Sequence, residues 1–143
     1  MNVRTYDGGC HCGRIAFGMT LSQPESDYTP RACDCSFCRK HGAAWLSDAN
    51  GTLRVRLRGE PLVYRQGSAQ AEFIACAHCA VLVLVRHEHD GRTHAAVNVR
   101  ALDDAEAFAA AQGASPQRLG ADERRERWTK LWFADVRVVD ADD

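Results

Sequence analysis

The chain has 143 residues, a length that corresponds to one domain, and we predict a single domain over residues 1–143. Apolar residues make up 45% of the sequence, enough to build a buried core, which excludes a disordered chain. A formal net charge of −1 excludes the strongly basic composition that favours nucleic-acid binding.

Most of the chain has the patterns of β-strands. Apolar residues alternate with small or polar ones in several stretches, which is typical of strands with one buried face. Such strands are predicted at residues 15–19, 53–57, 61–64, 94–99 and 136–139. The unbroken apolar run at residues 80–85 predicts a strand covered on both faces. Turn signals stand at Asn50-Gly51, Gly67-Ser68 and Asp90-Gly91.

Helix-favouring patterns are scarce. Asp103 or Asp104 is placed to cap a short alanine-rich helix over residues 105–112. Residues 122–127 are interpreted as the start of a second helical segment with a solvated, charged face. The aromatic residues that follow, Trp128, Trp132 and Phe133, are predicted to return the chain to the core. The predicted fold class is therefore mainly β, with one or two short helices.

Seven cysteines fall into three tight clusters. The clusters are Cys10 and Cys12, then Cys33, Cys35 and Cys38, then Cys76 and Cys79. The first residues lack the apolar stretch of a signal peptide, and the apolar run at residues 79–85 is too short to cross a membrane. We therefore expect a soluble protein of the cytoplasm without a membrane partner. Because disulfides are rare there and the cysteine count is odd, the clusters indicate metal ligands.

The spacing divides the cysteines into a set of four and a set of three. The two outer pairs together supply the four thiolates of a closed, structural zinc site. The central cluster supplies only three thiolates, and this leaves two interpretations. His41 could be a fourth ligand that makes a second inert site, or the second zinc keeps an open position, as reactive zinc does.

An open site with three thiolates favours chemistry on a thiol. Its net negative charge makes the metal a poor generator of hydroxide, whereas an incoming thiol can be held there as a nucleophilic thiolate. Arg39 and Lys40 stand beside the cluster and either bind an anionic substrate or are ordinary solvated side chains. His41 is predicted to be either the fourth ligand or a proton shuttle.

The cysteine motifs resemble those of the glutathione-dependent formaldehyde-activating enzyme family, which also includes centromere protein V. The similarity extends through Gly8-Gly-Cys-His-Cys-Gly13, Cys33-x-Cys35-Ser36-x-Cys38-Arg39-Lys40 and Phe73-x-x-Cys76-x-x-Cys79, and continues at Val97-Asn-Val-Arg-Ala-Leu-Asp-Asp104. Ala80 departs from the pattern, since the family usually has glycine after the last cysteine. A turn that needs positive φ is less favourable with alanine at this position.

The resemblance implies a zinc-bound fold of the β-tent type and two zinc ions per chain. It implies a structural zinc on the four outer cysteines and a catalytic zinc on Cys33, Cys35 and Cys38. It also implies carbon–sulfur lyase chemistry with glutathione and formaldehyde as partners, giving S-hydroxymethylglutathione. Two other functions stay open from the sequence. They are a non-catalytic zinc-binding module and a redox sensor in which oxidation of the three cysteines releases zinc.

Overall fold

The computed structural model describes residues 4–66, 70–108, 110–114 and 120–140, and these form eleven strands and two α-helices. The strands are β1 (Arg4–Gly9), β2 (Ile15–Leu21), β3 (Arg31–Cys33), β4 (Trp45–Leu46), β5 (Thr52–Leu57), β6 (Leu62–Tyr64), β7 (Glu72–Ala75), β8 (Leu82–His89), β9 (Arg92–Asn98), β10 (Gln112–Ala114) and β11 (Asp135–Asp140). The helices are α1 (Ser36–His41) and α2 (Ala121–Leu131). The prediction of a mainly β protein with short helices is confirmed.

The strands form two sheets. One has four strands in the order β1-β2-β5-β11, and the other has seven in the order β10-β3-β4-β9-β8-β7-β6. Neighbouring strands are antiparallel except at two edges, where β11 runs parallel to β5 and β10 runs parallel to β3. None of the helices among the described residues combines the length and apolar character that a bilayer-spanning helix requires.

The main core lies between the two sheets. In β2 every second residue is buried, which places Phe17 and Met19 on the inner face of the small sheet. They belong to one apolar cluster with residues such as Leu84 and Val97 from the large sheet. Alternate residues of a strand point to opposite sides, so the outer face of the large sheet needs a cover of its own.

Both helices supply that cover. Val85 and Ala96 belong to a second apolar cluster with Trp128 and Trp132 from α2. Cys35 and Cys38, at the beginning of α1, lie in the same cluster. The central cysteine cluster is therefore held between the outer face of the large sheet and the helices packed against it.

The strand predictions are confirmed with small shifts of their ends. The strand predicted at residues 80–85 is β8, and its residues 82–85 are all buried, as expected for a strand covered on both faces. It begins two residues late, because Ala80 and Val81 complete the turn that holds the last two cysteines. The turn predicted at Gly67-Ser68 lies outside the described residues.

The helix predicted over residues 105–112 is wrong. Among the described residues of that range, only Ala105–Ala107 form a helical segment, a short 3₁₀ turn, and Gln112 instead begins β10. The N–H of Gln112 donates to the carbonyl oxygen of Pro30 at 2.9 Å, and Phe108 is buried against Tyr6 with 5.3 Å between ring centroids. Strand pairing and burial of Phe108 thus outweigh the weak helix preference of a short alanine-rich segment.

The burial of one histidine, His94, makes the stability of the fold depend on pH. His94 on β9 faces His87 on β8, and both are buried. Burial, followed by the neighbouring His87, lowers the pKa of His94. The unfolded chain therefore binds a proton at this residue more readily than the folded chain. The resulting stability is fully present above the unfolded pKa of about 6.5 and is lost as the pH falls through the lower folded pKa.

We expect the free energy of unfolding of His94→Gln to decline less than that of the wild-type protein between about pH 7 and pH 5. Urea denaturation at a series of pH values measures this difference. His89→Gln is the control, because His89 is an exposed histidine of the same hairpin, and its decline should match the wild type. A decline in His94→Gln as steep as in the wild type contradicts the assignment.

Candidate metal centres and their pocket

Four cysteine sulfurs from two distant segments lie together. Cys10 and Cys12 stand between β1 and β2 of the small sheet, and Cys76 and Cys79 stand between β7 and β8 of the large sheet. All four sulfurs lie within 4.8 Å of one another. The Sγ atom of Cys12 is 3.7 Å from that of Cys10 and 3.6 Å from that of Cys76. The group could hold one metal ion, which would join the two sheets.

Backbone N–H groups point at the sulfurs of the second pair. The N–H groups of His78 and Cys79 donate to Cys76 Sγ at 3.3 and 3.4 Å. The N–H of Val81 lowers the pKa of Cys79 to about 6. Such donors favour the thiolate, which is the form of cysteine that binds metal.

Ala80, the residue after the last cysteine of this turn, has a left-handed backbone conformation, with φ of 71°. Its N–H donates to the carbonyl oxygen of Cys76 at 2.9 Å, so the conformation is part of the turn that positions the sulfurs. The sequence prediction that this turn needs positive φ is confirmed. A side chain in this region costs about 1–2 kcal/mol, which glycine avoids.

We expect Ala80→Gly to raise the free energy of unfolding of the metal-loaded protein by about 1 kcal/mol, measured by chemical denaturation. Ala77→Gly is the matched control, because Ala77 is exposed in the same turn and does not have positive φ. That substitution should lower stability by increasing the freedom of the unfolded chain. An Ala80→Gly protein no more stable than the wild type contradicts the expectation.

The other three sulfurs come from one short segment. Cys33 ends β3, Cys35 is the N-cap residue of α1, and Cys38 lies within α1. Their sulfurs lie within 4.8 Å of one another and could hold a second metal ion. Among the described residues, no histidine, cysteine or acidic side chain joins this group as a fourth member.

Each of these three sulfurs accepts a hydrogen bond from a neighbouring group. The N–H of Cys38 and the side-chain amide of Gln66 both donate to Cys35 Sγ at 3.4 Å. Cys33 accepts from the backbone of Cys35, and Cys38 from the side chain of Trp45. The Cys38 thiol donates to Cys33 and lowers the pKa of Cys33 to about 6, and the same bond raises the pKa of Cys38. In this arrangement the negative charge is stabilised on Cys33, whereas Cys38 keeps its proton.

The three-sulfur group opens into a cavity of about 210 Å³, whereas the four-sulfur group does not line it. Its walls are aromatic, cationic and small apolar side chains from both helices and the outer face of the large sheet. Besides the three cysteines they are Arg31, Trp45, Gln66, Ala71, Phe73, Val85, Ala114, Arg124, Arg127, Trp128 and Trp132. The two cysteine groups therefore differ both in the number of sulfurs and in access to a cavity.

The charged lining of this cavity, apart from the cysteines, consists of three arginines. Arg31 lies on β3, and its guanidinium donates to the hydroxyl of Ser47 at 2.9 Å. Burial, together with the positive charge of Arg127, lowers the pKa of Arg31 to about 10, so it stays protonated at neutral pH. Arg124 and Arg127 lie on α2. Within the described ranges no carboxylate forms an ion pair with any of the three.

The residues predicted to assist the open site lie outside the cavity. Arg39, Lys40 and His41 are exposed on α1 and are not among the residues that line the cavity. The ring of His41 packs against Phe37 with 4.7 Å between ring centroids. The structure does not bring His41 together with the three sulfurs, so its geometry does not support the fourth-ligand alternative.

Sequence reasoning missed the arginine lining and Gln66. The sequence did indicate part of the arginine lining. Arg127 and Trp128 follow Arg124 by three and four residues, and residues at this spacing lie on one face of a helix. The interpretation of residues 122–127 as a solvated charged face holds for Asp122, which is exposed. It is wrong for Arg124 and Arg127, which line the cavity.

Comparison with known proteins is consistent with this geometry. Residues 5–116 match the family model of the glutathione-dependent formaldehyde-activating enzyme, a range that contains both cysteine groups. A crystal structure of a protein from Rhodobacter sphaeroides is 32% identical, covering 68% of this chain and 87% of that chain, with a TM-score of 0.49. No curated protein sequence matches the chain.

Proposed function

This chain belongs to the family of glutathione-dependent formaldehyde-activating enzymes, and we propose from this premise that it is a zinc-dependent enzyme of the carbon–sulfur lyase type. The proposed substrates are a thiol such as glutathione and a small aldehyde such as formaldehyde. The observation that carries the proposal is the inequality of the two cysteine groups. One has four sulfurs, and the other has three sulfurs that face a cavity.

The spacing of the four-sulfur group supports zinc as its metal. Zinc–sulfur bonds of about 2.3 Å in a tetrahedron separate neighbouring sulfurs by about 3.8 Å. The sulfur of Cys12 lies 3.7 Å from that of Cys10 and 3.6 Å from that of Cys76, close to this value. Cys10, Cys12, Cys76 and Cys79 would therefore hold a structural zinc, for which four thiolates complete the coordination.

The second zinc is proposed to be held by Cys33, Cys35 and Cys38. A zinc ion held by these residues would have an open coordination position and would lower the pKa of a substrate thiol. The Cys38 N–H and Gln66 stabilise charge on Cys35, and Trp45 does so on Cys38. These donors orient the sulfurs of Cys35 and Cys38, and the charge of a bound zinc ion would hold the three cysteines as thiolates.

The proposed reaction forms one bond between two substrates held in the cavity. The thiol sulfur attacks the carbonyl carbon, a carbon–sulfur bond forms, and the carbonyl π bond opens. The proton that the thiol loses ends on the carbonyl oxygen, which gives an S-hydroxymethyl thioether without any oxidant or reductant. The aromatic lining, which includes Trp45 and Trp128, would give the reacting atoms partly apolar surroundings.

The sequence also suggested roles for three residues that follow the three-cysteine group. His41 is retained as a proton shuttle only, and Arg39 and Lys40 as contacts for the outer part of a substrate, since all three are exposed. A cytoplasmic location is proposed because all seven cysteines belong to the two groups that could hold metal, and such ligands are preserved in a reducing compartment.

Exchange spectroscopy tests the proposed reaction. Zinc-loaded protein is added to glutathione and formaldehyde, and the interconversion of glutathione and S-hydroxymethylglutathione is followed by NMR. We expect acceleration of about tenfold or more over the uncatalysed mixture, since the protein holds both reactants together. Protein that carries both zinc ions and gives no acceleration contradicts the proposal and leaves the non-catalytic zinc module as its function. Zinc release under mild peroxide, without acceleration of exchange, supports the redox sensor instead.

A further inference from the structure

The lining of the cavity includes three cationic side chains, here called the arginine wall, from two segments far apart in the sequence. Arg31 comes from β3, at the start of the segment that carries the three cysteines, and Arg124 and Arg127 come from α2. Residues 121–131 lie beyond the part of the chain that matches the family model. The arginines of α2 are therefore features of this chain that membership of the family does not account for.

Packing fixes the arginines in this wall. Arg124, Arg127 and Trp128 share one face of α2, and Trp128 packs on Trp132 with 4.9 Å between ring centroids. Trp128 also contacts the buried His87 on the large sheet, at 5.1 Å. These contacts hold the face that carries the two arginines against the cavity.

Arg31 is tied to the same helix by a chain of hydrogen bonds. It donates to the hydroxyl of Ser47, which in turn donates to the carbonyl oxygen of Leu131 at 2.7 Å. None of these contacts supplies negative charge, and no described acidic side chain lines the cavity. Three like charges gathered without a carboxylate repel one another, so the free energy of the pocket falls when an anion enters.

The charges around the cavity indicate how much negative charge a ligand should bring. A zinc ion with three thiolates has a net charge of −1. The three guanidinium groups bring the total charge around the cavity to +2. A substrate thiolate neutralises one of these two positive charges. The other is neutralised when the same molecule carries one further net negative charge, as a thiol with a carboxylate does.

We propose that Arg31, Arg124 and Arg127 form a carboxylate-binding subsite, so that the thiol substrate of this protein is an anionic thiol rather than a neutral or cationic one. The inference rests on the proposed function, because it assigns the thiol to the three-cysteine site. Arginine suits this role, since its planar guanidinium binds a carboxylate through two parallel hydrogen bonds. A cavity of about 210 Å³ accommodates the thiol-bearing part of a small peptide together with its nearest charged group.

Matched ligands separate the carboxylate from the thiol. Isothermal titration of zinc-loaded protein compares 3-mercaptopropionate with the neutral 3-mercapto-1-propanol, which differ mainly in the carboxylate. A third ligand, 3-hydroxypropionate, has the carboxylate without the thiol. We expect the wild-type protein to bind 3-mercaptopropionate about tenfold or more tightly than the neutral thiol, and less so at high salt.

Matched variants assign the selectivity to the arginines. Arg127→Gln and Arg124→Gln should each weaken binding of 3-mercaptopropionate about tenfold and leave binding of 3-mercapto-1-propanol unchanged. Lys130→Gln is the control, because it removes the same charge from an exposed residue of α2 that does not line the cavity. Metal content and circular dichroism establish that each variant is folded and zinc-loaded.

The outcomes separate this inference from the proposed reaction. The subsite is overturned if the wild-type protein binds the two thiols with equal affinity. It is also overturned if Arg127→Gln weakens the binding of both thiols equally. A third result against the subsite is that Arg39→Gln, rather than the cavity variants, loses the preference for the anionic thiol. That result would place the bound anion on α1. If selectivity holds but formaldehyde exchange is not accelerated, the subsite stands and the reaction fails. If 3-hydroxypropionate binds as tightly as 3-mercaptopropionate, and Arg127→Gln abolishes the binding of both, the arginines bind carboxylate and the thiol site fails.

Discussion

Cys12→Ser is expected to lower the thermal midpoint of the protein by more than about 10 °C and to promote its precipitation. The sulfur of Cys12 lies between those of Cys10 and Cys76, and a serine hydroxyl does not replace a thiolate as a metal ligand. Structural zinc contributes about 10–16 kcal/mol to the folding of small zinc-binding peptides, whereas whole domains are stable by only about 5–15 kcal/mol. Weakening this site therefore removes a large share of the net stability.

The measurement is a thermal melt of the purified protein together with its zinc content. His11→Ala is the matched control, because His11 is an exposed neighbour of Cys12 that is not part of the four-sulfur group. It should keep two zinc ions and melt close to the wild type. A Cys12→Ser protein that also melts close to the wild type would falsify the structural role of this site.

Cys35→Ser is expected to abolish the exchange of formaldehyde while the fold is retained. Cys35 receives hydrogen bonds from the Cys38 N–H and from Gln66, so its replacement removes one of only three sulfurs and disturbs the arrangement that holds the others. Zinc content should fall from two ions per chain to one, because the four-sulfur group is untouched. Loss of exchange by about a hundredfold or more is expected, since the open coordination position is lost with the ion.

Elemental analysis, circular dichroism and the exchange assay together measure this effect. Ser36→Ala is the control, because Ser36 is the exposed neighbour of Cys35 at the start of α1 and does not line the cavity. It should keep both ions and wild-type exchange. A Cys35→Ser protein that still binds two ions, or one that unfolds as Cys12→Ser does, contradicts the division into a structural and a reactive site.

The sequence was sufficient to predict the cysteine groups because metal ligation imposes local spacing. Cys33, Cys35 and Cys38 lie so close in sequence that any compact conformation can bring their sulfurs together. The pairing of the first and last clusters could be predicted by counting, since a closed site needs four thiolates. Alternation of apolar residues likewise predicted β2 and β5, whose buried faces form the main core.

The arginine wall could not be predicted, because it depends on tertiary packing. Arg31 and Arg127 are far apart in the sequence, and only the docking of α2 on the outer face of the large sheet brings both to one cavity. The helix predicted over residues 105–112 failed for a related reason, since Gln112 pairs with a strand that local propensity does not reveal. The β-tent arrangement that the resemblance implies stays a prediction.

The connectivity of the two cysteine groups predicts the order in which they would take up metal ions. Cys33, Cys35 and Cys38 all belong to the stretch of chain between Cys12 and Cys76, which the four-sulfur group closes into a loop. Closing that loop lowers the conformational entropy of the segments inside it. These include β4, on which the three-cysteine segment packs. An ion on the four-sulfur group would therefore favour the binding of a second ion by the three-sulfur group. Depletion by a chelator should proceed in the reverse sequence, so that a chain can lose its reactive ion, stay folded and be reloaded.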